Sequence, residues 1–271
     1  VNRAVRAITH GLTGAAFAAS PVSVPMERYF PELERLSAAM AFCSDLTMGV
    51  LGGKLKFMER MSARLGDVLS QLYIASAVLK FHIEGGQKEE ELPLATWALD
   101  NCLYEIGKAF DGFLENFPVR SVAAIMNLCV FPLGNPYKPV TDRLNAKVAN
   151  QMMEPSATRE RLTWLTYKNG GMTCPAGRME QAWQTALLHE EAYNKYFKLM
   201  AKGELVGDNV AARLDDAVQH KKMTIAEADS ALAYDKARVD VILTDDFSKE
   251  YISGNFEAER GKVVELAARR A

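Results

Sequence analysis

Between Lys54 and Lys80, apolar residues recur at alternating intervals of three and four: Met58, Met61, Leu65, Val68, Leu72, Ala75 and Leu79. An α-helix turns once every ~3.6 residues, so this spacing puts all of them on one narrow stripe. Such a stripe is buried by a partner helix, as in coiled coils and four-helix bundles. The charged residues Lys54, Lys56, Glu59, Arg60, Arg64 and Asp67 fall in the first half of the run, off the stripe. From Val68 to Leu79 no residue is charged, which predicts deeper burial for that half.

The flanking punctuation fits a bundle. Gly52-Gly53 precedes the stripe, and glycine ends a helix and reverses the chain because it takes left-handed backbone angles without steric cost. The expected result is an antiparallel hairpin, Met26–Leu51 and Lys54–His82, closed by Gly85-Gly86. After a charged loop, Gln87–Glu91, Pro93 opens a third helix that reaches Asn116. Its apolar face is read as Leu94, Trp97, Ala98, Cys102, Ile106, Ala109 and Phe113. Phe117-Pro118 stops it. Val119–Phe131 exceeds a typical buried strand and reads as a fourth helix. The run PLGNPYKP, with Pro132, Gly134, Pro136 and Pro139, marks a boundary. Further helices are expected at Thr141–Met153, Ser156–Tyr167 and Arg178–Lys202, the last with Met179, Ala182, Trp183, Ala186, Leu187, Glu190, Tyr193 and Phe197 on one face. Thr224-Ile225-Ala226-Glu227 is a capping box opening a helix to about Leu243. The tail, Glu257–Ala271, is polar and helical by composition. There is no internal repeat and no alternating strand pattern. The fold class is therefore all-α: an antiparallel helical bundle over 1–134, then additional packed helices over 135–271, with long loops near 132–139 and 168–177.

Composition narrows the function. With 32 Lys plus Arg against 34 Asp plus Glu, the net charge is −2, and no basic footprint for nucleic acid is present. The hydrophobic fraction of 49% excludes intrinsic disorder. The most apolar stretch, Leu36–Leu51, is shorter than a spanning helix needs and carries Asp45 at its middle, so it reads as a core helix. No signal-peptide pattern opens the chain. Val1 in place of Met, with a helical run at Asn2–Ile8, is expected of a fragment or a processed product. Cys43, Cys102, Cys129 and Cys174 are far apart and form no C-x-x-C. They read as free, buried thiols in a reducing compartment.

Motifs of catalysis are missing. There is no G-x-G-x-x-G, Walker loop or G-x-S-x-G. His10, His82, His189 and His220 lack the Glu-x-x-His and H-E-x-x-H spacings, so no metal site is expected. These histidines read as surface or helix-end residues. Asp45 is the most notable carboxylate by pattern: it stands among apolar residues, where burial would tune it for acid–base work unless Arg60 or Arg64 from the antiparallel helix meets it in a structural ion pair or it lies on an exposed face. Arg60, Arg64 and Asp67 read otherwise as a solvated ladder or an interface. Trp97, Trp164 and Trp183 are assigned to the core. Met40, Met48, Met58 and Met61 are core filler or an adaptable apolar surface.

Several long blocks are shared with a known family. MGVLGGKLKFMERMSARLGDVLSQLYIASAVLK (Met48–Lys80), ELPLATWALDNCLYE (Glu91–Glu105), NFPVRSVAAIMN (Asn116–Asn127), FPLG (Phe131–Gly134) and DRLNAKVA (Asp142–Ala149) resemble the C-terminal region of bacterial FadE-type acyl-CoA dehydrogenases. The likeness weakens after about Tyr167, with Thr244–Phe247 as a late echo. The resemblance implies a flavoprotein parent of fatty-acid β-oxidation that oxidises acyl-CoA to trans-2-enoyl-CoA. There a carboxylate removes the α-proton and FAD takes the β-hydride. It implies acyl-CoA as substrate, the parent's own N-terminal catalytic core and further subunits as partners, and a cytoplasmic setting with peripheral contact at the inner membrane. The family's catalytic glutamate matches no position here, so the catalytic residues are expected upstream of Val1. Gly52-Gly53 reads as a helical turn rather than a cofactor contact. The expected role is an accessory helical region that packs on the core, a subunit interface or the membrane. The alternative is a stand-alone protein- or membrane-docking module without catalysis.

Overall fold

The computed structural model describes residues 26–168, 170–171, 174–243, 247 and 249–254, together with Val5 and Thr9. The expected helix at Asn2–Ile8, the position of His10 and the tail Glu257–Ala271 lie outside the described residues, Val5 apart. The order is α1 (Tyr29–Leu51), a 3-10 turn (Gly52–Phe57), α2 (Glu59–Glu84), a short 3-10 turn (Glu89–Glu91), α3 (Leu92–Glu115), α4 (Arg120–Val130), α5 (Asp142–Met153) and α6 (Ala157–Thr163). Then come α7 (Pro175–Ala201), α8 (Val210–Gln219), α9 (Ile225–Ile242) and α10 (Lys249–Ile252). Among the described residues there is no strand, and the fold is all-α.

Internal packing divides the chain into two compact units, residues 1–162 and 163–271. In the first unit the α2 stripe is buried as its spacing requires: Met61, Val68, Leu72, Ala75 and Leu79, with Met58 and Leu65 partly covered. It faces Leu36, Ala39 and Cys43 of α1 and the large apolar side of α3. Pro31 sits in the first turn of α1, where a missing N–H costs no helical bond. Thr47 is fully buried on α1, and its hydroxyl donates to the Cys43 carbonyl at 2.6 Å, so its polar group is satisfied. The floor of the core is aromatic. Phe110 meets Phe131 edge-on with ring centres 6.0 Å apart, and Phe113 lies 5.7 Å from Phe117. Such pairs add to the stabilisation from burial alone.

The proline-rich segment after α4 is packed against the bundle and belongs to the first unit. Asn135 donates to Asp111 at 2.7 Å and accepts from the Tyr137 backbone at 3.0 Å. Its amide comes to 2.8 Å from where a Cβ on Gly107 would stand, so the crossing requires glycine on α3. Farther on, Trp97 Nε1 donates to Asn145 Oδ1 at 2.7 Å, holding α5 on α3. Arg161 of α6 forks onto the buried Glu91, with Nε 2.7 Å from Oε1, and stacks over Phe81 at 4.3 Å. These ties place the packing boundary beyond the proline run at 132–139, where composition had put it.

The second unit is built on the pairing of α7 with α9, closed by α8. Its core holds Tyr196, Leu214, Ala217, Met223, Ala228 and Ala231. Tyr193 stacks on Tyr234 with ring centres 4.1 Å apart. The capping box is present: the Thr224 hydroxyl accepts from the Glu227 backbone, and the Glu227 carboxylate accepts from the Thr224 backbone at 2.7 Å.

Several expectations are corrected. The second helix starts at Glu59, not Lys54, because Met58 is non-helical (φ −106°, ψ 60°) and residues 52–57 wind as a tighter turn. The uncharged half of α2 is not more deeply buried. Only its stripe is covered, while Leu69, Tyr73, Ile74 and Phe81 face outward. The buried face of α3 is rotated towards Ala95, Leu99, Leu103 and Phe110, because the 131–139 crossing and α5 cover what would otherwise be its free side. On α7 the buried residues are Gly177 and Tyr196, and Met179 and Phe197 are exposed. α6 is shorter than expected, and α8 had no sequence counterpart. One helical stretch, Tyr29–Phe57, is long and apolar enough by composition to cross a membrane. Its Leu36, Ala39, Cys43 and Thr47 sit in the bundle core.

Candidate functional site

Asp45 is exposed on α1, not held in a low-dielectric pocket, so the tuned acid–base reading fails on burial. The α1 stripe that meets the core runs through Cys43 and Thr47 and leaves Asp45 on the outer side. Trp164 is exposed, contrary to its core assignment, while Trp97 and Trp183 are half-buried. His82 is a helix-end residue, in the last turn of α2, but it is 2% exposed, and among the described residues neither ring nitrogen has a hydrogen-bond partner. Cys43, Cys102 and Cys129 are free and buried. Burial pushes the Cys43 thiol up to about 12 and the Cys102 thiol to about 11, so both stay protonated and inert. Cys174 is half-buried at the start of α7, where its sulfur accepts from the Gly177 N–H at 3.1 Å. No group of three or more potential metal ligands occurs among the described residues.

Three arrangements in the two units have shape or chemistry. The first is a buried polar knot beside a cleft of about 400 Å³. Arg35, 5% exposed, donates to the Val130 carbonyl at 2.9 Å, to Glu32 at 3.3 Å and to the Tyr137 hydroxyl, which in turn donates to Glu32. Tyr29 donates to Asp100 at 2.7 Å and accepts from Arg28 at 2.6 Å. Burial drives both phenols upward, Tyr29 to about 12 and Tyr137 beyond it. Each charge has its partner, so this knot locks the 131–139 crossing to α1 and has no group poised for proton transfer near neutral pH.

The second is a cleft of about 780 Å³ between α7 and α9, lined by Glu190, Glu191, Lys195, Lys198, Glu227 and Ser230. At its edge His189 Nδ1 lies 2.7 Å from Ser230 Oγ. A serine–histidine contact invites a hydrolase reading. Ser230, however, stands inside α9, where the backbone N–H groups are spent on helical bonds and none is free to hold an oxyanion. The contact ties two helices together.

The third is the start of α2. Phe57 is 82% exposed at the end of the 3-10 turn. With Glu59, Arg60, Arg64 and Asn116 it lines an open cleft of about 410 Å³. Lys54 and Lys56 stand on the same turn. The arginines sit four residues apart on one side of the helix. The signal in the sequence was the KLKFMERMSAR run, but periodicity alone could not distinguish a cleft from a solvated face.

None of these clefts fits the redox end of a flavin. A flavin ring needs an enclosed slot and its pyrophosphate a loop of free backbone N–H groups. The clefts here are open, the largest is rimmed by glutamates, and nothing approaches within 4 Å of where side chains on Gly52 and Gly53 would stand.

No solved structure matches the chain. The sequence profile of one family, described as acyl-CoA dehydrogenase, C-terminal, bacterial type, matches residues 1–247. That span takes in the bundle, the proline-rich crossing and the α7–α9 unit, and the all-α architecture agrees with it. The chain belongs to the family of bacterial-type acyl-CoA dehydrogenase C-terminal regions.

Proposed function

We propose that this chain is the accessory helical region of a flavin-dependent enzyme that oxidises fatty acyl-CoA to trans-2-enoyl-CoA, and that it packs on that enzyme's catalytic core through the outer face of α2. Family membership supports an oxidoreductase parent acting on acyl-CoA and working as an oligomer. The catalytic base and the FAD belong, on this reading, to the core. The observation that carries the docking role is the outer side of α2. Leu69 is 56% exposed, Tyr73 77% and Ile74 45%. They stand on a helix with no charge from Val68 to Leu79. A solvated helix face carries charge every turn or two, and one that does not is matched to another protein surface.

The test uses the whole parent enzyme. Leu69→Glu with Tyr73→Glu places two carboxylates on this face without touching the buried stripe. The expected outcome is a lower melting temperature, loss of retained FAD and reduced acyl-CoA oxidation, with the region's own helicity unchanged. Unaltered flavin content and turnover would refute the reading and favour the stand-alone docking module.

A further inference from the structure

The geometry points to a binding site, at the start of α2, for the phosphorylated adenosine end of coenzyme A. This inference rests on the acyl-CoA assignment above but uses a different side of α2 from the docking face. Arg60 and Arg64 are four residues apart on one side of the helix, where like charges repel. Among the described residues neither has a carboxylate within ion-pair distance. Arg64 packs over Gly112 of α3 and its one side-chain contact with a polar atom is the Met61 sulfur, at 3.9 Å, while Asp67 and Glu105, which border the adjoining cleft, do not pair with it. Four other arginines of the same unit are committed, Arg28 to Asp100, Arg35 to Glu32, Arg161 to Glu91 and Arg120 to the carbonyls that end α3, while Arg143 is exposed on α5 and does not line this cleft.

Two more cations, Lys54 and Lys56, stand on the turn that leads into the cleft, also without an ion pair among the described residues. The one opposing charge in the lining is Glu59. α2 also begins here without a side-chain cap, so its first N–H groups and the positive end of its dipole face the same region. The cluster is thus a repulsive set of cations that an anion relieves. Phe57 adds a flat, solvated ring beside them, and exposed aromatic rings beside cations are the platform on which nucleobases stack. Asn116 uses its amide N–H on the Gly112 carbonyl at 2.8 Å and keeps its oxygen for a ligand N–H. Phosphates on cations and a ring on Phe57 describe a phosphorylated nucleoside. Coenzyme A, with about four negative charges on that end near neutral pH, matches the four cations better than the two of a flavin dinucleotide.

The test is isothermal titration of the full 271-residue chain at low salt with three probes: coenzyme A, FAD and inorganic pyrophosphate. Coenzyme A should bind at one saturable site. Arg60→Gln with Arg64→Gln should weaken it by about tenfold or more, the worth of charged hydrogen bonds. Lys54→Gln with Lys56→Gln, on a fully solvated turn, should weaken it as well and guards against a folding artefact in the arginine pair. Phe57→Ala should lower coenzyme A affinity by about tenfold and leave pyrophosphate binding unchanged. Lys80→Gln, at the far end of α2, should change nothing. The site is overturned if coenzyme A does not saturate, if the arginine pair is indifferent, or if Lys80→Gln weakens binding equally. Tighter binding of FAD than of coenzyme A overturns the choice of ligand. Leu69→Glu with Tyr73→Glu should leave coenzyme A binding intact, so a failure here and a failure of the docking face read out separately.

Discussion

His82 is the residue whose environment departs furthest from its chemistry. It sits in the last turn of α2 with both ring nitrogens buried and unmet among the described residues. A buried polar group without a partner costs about 1–3 kcal/mol, whereas an apolar group of similar shape incurs no such cost. His82→Leu is therefore expected to stabilise the first unit by about 1 kcal/mol, read as a higher denaturant midpoint with an unchanged slope. A loss of stability would mean that the ring serves a partner and would sink the idea. The sequence reads this histidine as a surface or helix-end residue, and it is at a helix end, but its burial was not legible. What it could not see was α6, whose Arg161 folds over Phe81 and Glu91 and covers the end of α2. Asp45 erred in the opposite direction. Its apolar neighbours in the chain turn inward, and at 3.6 residues per turn that leaves Asp45 outside.

At the scale of elements, what periodicity and capping state locally was legible, and what depends on a distant crossing was not. The α2 stripe and the Thr224 capping box could be read directly. The rotation of α3 could not, because it follows from Asn135 and Tyr137 arriving from the proline-rich segment. Gly107→Ala tests that crossing. Alanine favours a helix over glycine by about 1 kcal/mol, but its Cβ would stand 2.8 Å from the Asn135 amide, which Asp111 and Tyr137 hold in place. Overpacking of this kind costs about 1–3 kcal/mol. The expected result is a net loss of thermal stability, relieved in the double variant with Asn135→Ala. α8 was missed although Asn209 caps its start and Leu214 and Ala217 form its buried side. The run is short, at ten residues.

The start of α9 has a local acid-sensitive contact. Lys195, bonded to Glu227, and the Thr224 backbone N–H hold the Glu227 carboxyl below its usual value of 4.5. A carboxylate lowered on folding contributes stability that is complete above the unfolded value and disappears as pH falls through the folded one. Protection of the Glu227 and Ala228 amides, taken relative to their intrinsic exchange rates, should therefore fall as pH drops below the ordinary glutamate range. In Glu227→Gln the capping bond survives, but that acid limb should flatten. An unchanged limb would place the titration elsewhere.

The whole molecule explains where its apolar composition goes. Part of it fills two separate cores, one of phenylalanines and leucines within residues 1–162 and one around Tyr196 within 163–271. Part remains on the outer side of α2, where a face legible as uncharged turned out to be uncovered. Along the chain, just after the first unit ends, come Trp164, Leu165 and Tyr167, which are 70%, 78% and 69% exposed. They follow α6 directly, and from there to α7 no described residue is α-helical. Large apolar side chains in solvent-exposed, non-helical backbone are where a protease with an aromatic pocket cuts first. Limited digestion with chymotrypsin should therefore cleave within 164–167 before any bond inside α1 to α5 or α7 to α9. Because each unit has its own buried core, the two products should stay helical by circular dichroism after separation. Early cleavage at Phe110 or Tyr196 instead, or collapse of helicity in either product, would show that the two cores do not stand independently.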